Sequence, residues 1–270
     1  MSSRAFWRRN LGFFNMAISA NVEYRLNYVI DAVVQPSMTA VIELLLWLAL
    51  FQGAAGGTIG GFTLPYYLSY ALWGAFFARI ASSWMYEFRM IEEIESGSVN
   101  GLLVRPFSFY EYYFSQLMGY KFITTFVSFL IPLGATLLLD WPAQMDRLPL
   151  ATLLVFYYLI LVHSISFLVS CCAFFWNRIH SFTVAKNLAF WILTGELVPL
   201  DLMPEPYRGW VINLPFASGV YVPVAYLTGR AEVSMVWNGF LSVTVGLIAV
   251  NAAGALLWKK GLRSYVGTGA

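Results

Sequence analysis

"FRMIEEIESGSVNGLLVRPFSFYEYY", residues 88–113, is the most polar run in a chain that otherwise reads as a series of membrane spans. It holds Glu92, Glu93, Glu95 and Glu111, Arg89 and Arg105, and a Gly-Ser-Val-Asn-Gly break at 97–101. Its flanks are apolar and aromatic, and each matches the ~20 residues that a helix needs to cross a bilayer. A charged segment between two such blocks reads as a loop at one membrane face.

Working outward, six stretches are long and apolar enough to span: 25–51, 64–86, 114–139, 150–175, 183–200 and 234–258. The fifth is the weakest, because it runs into "TGELVPLDLMPEP". Composition agrees. Of 270 residues, 59% are hydrophobic and 11% charged, whereas a soluble domain carries about 25% charged residues. The predicted fold is an all-α integral membrane protein. Residues 1–24 form an N-terminal amphipathic helix, 25–258 a six-span domain with its polar loop at 87–113, and 259–270 a tail. A net charge of +2 with no basic run argues against nucleic acid as a partner. The N-terminus is basic but has no unbroken apolar core and no small-residue cleavage site, so it reads as retained.

Orientation follows from Lys and Arg. With the N-terminus inside, twelve (Arg4, Arg8, Arg9, Arg25, Arg89, Arg105, Lys121, Arg178, Lys186, Lys259, Lys260, Arg263) fall on the cytoplasmic side and three (Arg147, Arg208, Arg230) outside. Both termini and the 88–113 segment are therefore expected in the cytoplasm of a cell that carries this chain in its cytoplasmic membrane. Trp7, Leu11, Phe14 and Ile18 make one apolar stripe, which suits a helix lying in the headgroup plane or one packed on the mouth of the bundle.

Within the polar loop, Met90, Ile91 and Ile94 form a small apolar face beside Glu92, Glu93 and Glu95. Ser96 follows, and Gly97 supplies a stop. Ser108 and Glu111 have the spacing of a capping box, with Pro106 just upstream. Residues 90–97 read as a docking helix for a cytoplasmic partner or, more plainly, as a solvated helical extension.

The first span carries Asn27, Asp31, Gln35, Thr39 and Glu43 at every fourth position. That spacing makes one polar column drifting by about 40° per step. Charge facing lipid costs at least about 2.5–3.5 kcal/mol on insertion scales, so the column is expected to face the bundle interior or a subunit seam. It would either line a transport path or hold helices together. Asp31 has Arg25 or Arg79 as possible partners, and Pro36 is placed to kink the helix. His163 sits near the middle of the fourth span; Arg79 is placed to snorkel, and Cys171 and Cys172 read as packing residues. After the fifth span, Gly195, Pro199 and Pro204 break the chain in a segment still rich in aromatics, with Glu196 at its base. Broken backbone at membrane depth is tolerated only where it is buried in protein or lines a wet cavity, so a broken or re-entrant hairpin is expected.

No G-x-x-x-x-G-K-[ST], G-x-S-x-G, H-E-x-x-H or C-x-x-C occurs. The sequence therefore offers no catalytic residue, metal ligand set or cofactor of its own. Uphill transport would draw its energy from a partner or an ion gradient.

The order of these parts resembles a type-2 ABC exporter permease, of the ABC-2 family. The amphipathic N-terminal helix, six spans, the docking segment between spans two and three, and Gly195-Glu-Leu-Val-Pro199 followed by Pro204 carry the likeness. More narrowly, "TIGGFTLPYYLSYAL", "IESGSVNGLLVRPFSFYEYY" and "WKKGLRSYVGTGA" are similar to a branch once described only as a domain of unknown function. The resemblance implies a pathway formed between two six-span subunits, alike or different. It also implies a separate ATPase under each, with ATP and Mg bound on that partner and residues 90–97 in the coupling region. Two other readings stand beside it: a proton-coupled transporter using Glu43, Asp31 and His163 as relay groups, and a non-transporting scaffold. The first predicts two sequence-similar halves, which the sequence does not display.

Overall fold

The computed structural model describes residues 3–23, 26, 29–53, 57–176 and 178–265. Asn27, Arg25 and the end of the tail lie outside them. In chain order come α1 (Ser3–Glu23), α2 (Ile30–Gln52) and a small antiparallel hairpin, β1 (Thr58–Ile59) with β2 (Phe62–Thr63). Next are α3 (Leu64–Ala81), α4 (Trp84–Glu95), α5 (Asn100–Leu103), α6 (Phe109–Leu139) and α7 (Leu148–Cys171). Last are α8 (His180–Leu193), α9 (Tyr207–Asn213), α10 (Tyr221–Leu227) and α11 (Val233–Ser264). The chain is an all-α membrane protein.

Among the described residues, four helical runs are long and apolar enough to cross a membrane: α2, α6, α11 and the Met145–Phe174 run built on α7. Two predicted spans differ from them. Tyr66, Tyr67, Tyr70 and Arg79 lower the hydropathy of α3, and the helix is buried along most of its length by its neighbours. The fifth stretch folds as only 14 residues of helix, α8. That is about 21 Å, short of the roughly 30 Å hydrocarbon core.

Helix α7 is the axis of the bundle. Its most apolar window is 56% buried, against 11% for α2 and for α11 at the rim. Lipid tails are as apolar as Leu, so close packing rather than water exclusion joins the rim helices to the axis. A glycine stripe on α11 permits it. A Cβ on Gly239 would come within 3.2 Å of Leu154, on Gly246 within 3.1 Å of Leu161, and on Gly254 within 3.3 Å of Phe167; Gly261 sits against Phe174. A similar approach seats α1 on α6, where a Cβ on Gly119 would lie 2.6 Å from the Phe14 carbonyl oxygen.

The α1–α6 contact packs the N-terminal helix against the bundle. Arg9 pairs with Glu111 at 2.8 Å and donates to the Pro106 carbonyl. Phe13 meets Phe107 and Tyr112 edge-on, and Ala17 is buried. Trp7 and Leu11 stay exposed on the other side. The capping box is not formed. Ser108 occupies the N-cap position of α6 without a side-chain cap bond, and the Glu111 side chain is turned to Arg9.

In α2, an i→i+5 turn at Ile30–Val34 lies just before Pro36. This wider turn is the local irregularity that the missing proline N–H and its ring call for.

Candidate functional site

The charged segment that reads as a loop is anchored from beneath. Met90 and Ile91 are fully buried and Ile94 nearly so, packed with Phe109, Tyr113, Leu117 and Val169. The apolar face of α4 therefore holds the helix on its own bundle. Glu92, Glu95 and Ser96 point outward, and Gly97 ends the helix with φ +81°. Glu93 is half-buried beside Tyr113, and burial pushes its carboxyl above the usual 4.5 while the Tyr113 hydroxyl bond opposes the shift. Beyond the turn, Leu103 and Val104 are exposed, Val104 at 85%. An apolar tip beside two acids thus faces away from the bundle.

Helix α4 is tied to the start of α8 at three points. The Arg178 backbone N–H donates to Glu95 Oε1 at 3.0 Å. The rings of Phe88 and His180 stack at 5.2 Å. Lys186 Nζ donates to Glu87 Oε2 at 2.5 Å, with the Glu87 side chain wholly buried and that of Lys186 10% exposed. Neither Glu87 nor Lys186 follows from motif reading. The available signal is that Lys186, inside an apolar span, requires a partner.

The polar column divides. Asp31 and Gln35 join a cluster where α2, α3 and α6 meet, around a cavity of about 160 Å³. Arg79 bonds Asp31 Oδ1 at 2.9 Å, Gln35 Oε1 at 2.5 Å and the Tyr120 hydroxyl at 3.0 Å. Tyr120 also donates to Asp31, and the buried Lys121 donates to the Arg79 carbonyl and to Ser82 Oγ at 2.9 Å. Of the two possible partners for Asp31, Arg79 is the one that the described residues bring to it. Thr39 is exposed on the rim face of α2. Glu43, further along, is half-buried and within electrostatic reach of Glu196. The 40° drift per step and the wider turn at its start prevent α2 from presenting one continuous face.

His163 is buried on α7, where its Nε2 meets the Tyr110 carbonyl at 3.1 Å and its Nδ1 has no partner. Among the described residues, no hydrogen bond joins it to Asp31 or Glu43. Cys171 is buried and free, and Cys172 is partly exposed and free.

The break after α8 is pinned from both sides. Gly195 takes φ +80°, its carbonyl accepts from the buried Tyr70 hydroxyl at 2.7 Å, and the Tyr221 N–H donates to the Thr194 carbonyl at 2.9 Å. Pro199 opens a short turn at Leu200–Leu202, and Pro204 precedes α9. Asp201 gathers Arg230 at 2.6 Å, the Tyr221 hydroxyl at 2.6 Å and the Tyr66 hydroxyl at 3.2 Å, with the guanidinium 3.7 Å from the Phe62 ring centroid. Helix α10 is buried within the protein.

These elements leave a groove of about 510 Å³ between α3, α7 and α8. It runs from Trp84 and Phe88 at the α4 end to Thr194 and Glu196. The same α8 carries the Lys186 tie and forms one wall of the groove. Among the described residues, no group of His, Cys, Asp and Glu has the arrangement of a metal site.

The sequence model of a family described as "ABC-2 family transporter protein" matches residues 37–269. No curated protein matches the chain.

Proposed function

Because the chain belongs to the ABC-2 family of transporters, we propose that it is the membrane-spanning subunit of an ATP-binding-cassette exporter, driven by separate ATPase subunits. In this reading, α2, α3, α6, α7, α8 with its following turn, and α11 are the six spans. The pinned break and the short α9 and α10 form a re-entrant hairpin, and α1 lies in the headgroup plane with Trp7 and Leu11 toward lipid. Both termini face the cytoplasm of a cell membrane. A second six-span subunit, identical or related, sits against the exposed faces of α2 and α8, so that Glu43, Thr39 and the groove border the pathway.

The observation that carries this reading is the three-point tie between α4 and α8. An exposed acidic segment is joined, through a buried ion pair, to a wall of a groove that contains unpaired polar groups. Met90, Ile91 and Ile94 fix the segment. Glu92, Glu95, Ser96, Leu103 and Val104 form the face for an ATPase that binds ATP and Mg. Closure of the ATPases would push α4, and α8 would move with it as one body, the rigid-element switching by which small displacements are amplified. A proton relay has less support, since His163, Asp31 and Glu43 occupy separate environments.

The test is reconstitution in vesicles with and without the ATPase subunit. The chain alone should hydrolyse no ATP, and the assembled complex should couple hydrolysis to outward movement of substrate. Nucleotide turnover by this polypeptide alone would refute the reading.

A further inference from the structure

The two ends of the groove differ in charge balance. At the α4 end, Lys186 is neutralised by Glu87. At the other, the Glu196 side chain makes no hydrogen bond or ion pair among the described residues. Tyr158 lines the same cleft, is 1% exposed and leaves its hydroxyl without a partner. Glu196 and Tyr158 lie within electrostatic reach of each other. Glu43 adds a second acid within reach. The nearby cation, Lys121, is also within reach but its ammonium is held by the Arg79 carbonyl and Ser82.

Both groups are held in place. The turn that carries Glu196 is pinned by Tyr70 and Tyr221. Tyr158 fits because position 219 has no Cβ; one there would lie 2.6 Å from its ring. The remaining walls include Phe190, Trp191, Val184 and Leu188. A volume of about 510 Å³ falls within the roughly 300–1,000 Å³ of small-molecule sites.

Resting on the permease reading, we propose that this groove binds a lipophilic organic ammonium. The cation meets the Glu196 carboxylate, its N–H is shared with the Tyr158 hydroxyl, and its aromatic or aliphatic body lies against Trp191 and Phe190, where ring faces attract positive charge. An anion finds no free cation there among the described residues, because Lys186 is paired with Glu87 and Lys121 is held by the Arg79 carbonyl and Ser82. A neutral apolar molecule leaves both polar groups unpaired. A hydrated inorganic ion leaves the aromatic walls without a partner.

Binding to the full chain in lipid nanodiscs, with empty nanodiscs subtracted and no ATPase present, tests this directly. Three probes suffice: tetraphenylphosphonium, its anionic counterpart tetraphenylborate, and the protonated amine N-methyl-1-naphthalenemethylamine. The wild type should bind both cations in preference to the anion. Glu196→Gln should weaken both cations at least about tenfold, roughly 1.4 kcal/mol. Tyr158→Phe, which removes only the hydroxyl, should weaken the amine about fivefold and leave tetraphenylphosphonium, which has no N–H, unchanged. Each variant is compared at wild-type elution volume and melting temperature. Wild-type affinity in Glu196→Gln, or tetraphenylborate binding as tightly as the cations, overturns the assignment. Because the assay contains no ATPase, that outcome leaves the permease reading standing; intact binding without ATP-driven transport would fail the permease reading alone.

Discussion

The Glu87–Lys186 pair separates a mechanical tie from incidental packing, and each single substitution has a calculable cost. With the Glu87 side chain wholly buried and Lys186 10% exposed, the charges are largely removed from water. Such a pair adds little net stability, because desolvation offsets attraction; removing one partner leaves an uncompensated charge and costs about 3–5 kcal/mol. Lys186→Met strands Glu87, whose Oε1 already lacks a partner. At about 2–4 °C per kcal/mol for a protein of this size, the melting temperature should fall by roughly 6–20 °C. Glu87→Gln should cost less, since Lys186 lines the groove and can turn its ammonium into it. The double neutral variant Glu87→Gln/Lys186→Met should recover most of the loss in stability while leaving ATP hydrolysis uncoupled from transport. The exchanged pair Glu87→Lys/Lys186→Glu should recover part of both. Melting by intrinsic fluorescence, together with the ratio of transport to hydrolysis in vesicles, reads the two effects separately. A Lys186→Met protein within 2 °C of wild type, or a double neutral variant with wild-type coupling, would refute the reasoning.

Other substitutions probe independent parts of the fold. Gly261→Val places a branched side chain against Phe174 and should lower stability by about 1–3 kcal/mol on the same melting assay. Gly134→Ala on α6, with nothing within 4 Å of the added Cβ, should be neutral or stabilise by up to about 1 kcal/mol. Gly119→Val should lift α1 from α6, which limited proteolysis within the first 23 residues would detect. Glu93, raised above 4.5 by burial, binds a proton more tightly folded than unfolded, so its contribution to stability declines as pH rises from 4.5 through its raised value. Glu93→Gln should therefore melt higher than wild type at pH 7, and the difference should vanish below about pH 4.5.

Much of the architecture is legible in hydropathy because the bilayer sets span length, and α2, α6, α7 and α11 begin within about five residues of their predicted starts or continue beyond them. Helix α8 is less so: its apolar composition runs past Leu193, but Gly195 and the two tyrosines that pin it end the helix at 14 residues. The apolar face of α4 is visible as periodicity, yet periodicity does not say what covers it, and here the cover is α6 and α7 of the same chain. Spacing by four placed Asp31, Gln35, Thr39 and Glu43 on one helix side, but only tertiary packing brings Arg79 to the first two. The Glu87–Lys186 and Asp201–Arg230 pairs join residues 99 and 29 positions apart, a separation that no local pattern encodes. The broken segment itself puts Glu196 at its base, whereas nothing local points to Tyr158 in the same groove, because its unpartnered hydroxyl exists only once α7 and the 3₁₀ turn at Pro215–Gly219 are packed.

The central claim is that force enters through the outer face of α4 and the adjoining turn. Site-specific photo-crosslinking in intact cells tests it, with benzophenone side chains placed at Glu92, Ser96 and Val104 on that face, and at Trp7 as an exposed control elsewhere. The account predicts that the first three positions capture a polypeptide bearing a nucleotide-binding P-loop and that Trp7 does not. Efficient capture of such a subunit from Trp7 but from none of Glu92, Ser96 and Val104 would contradict it.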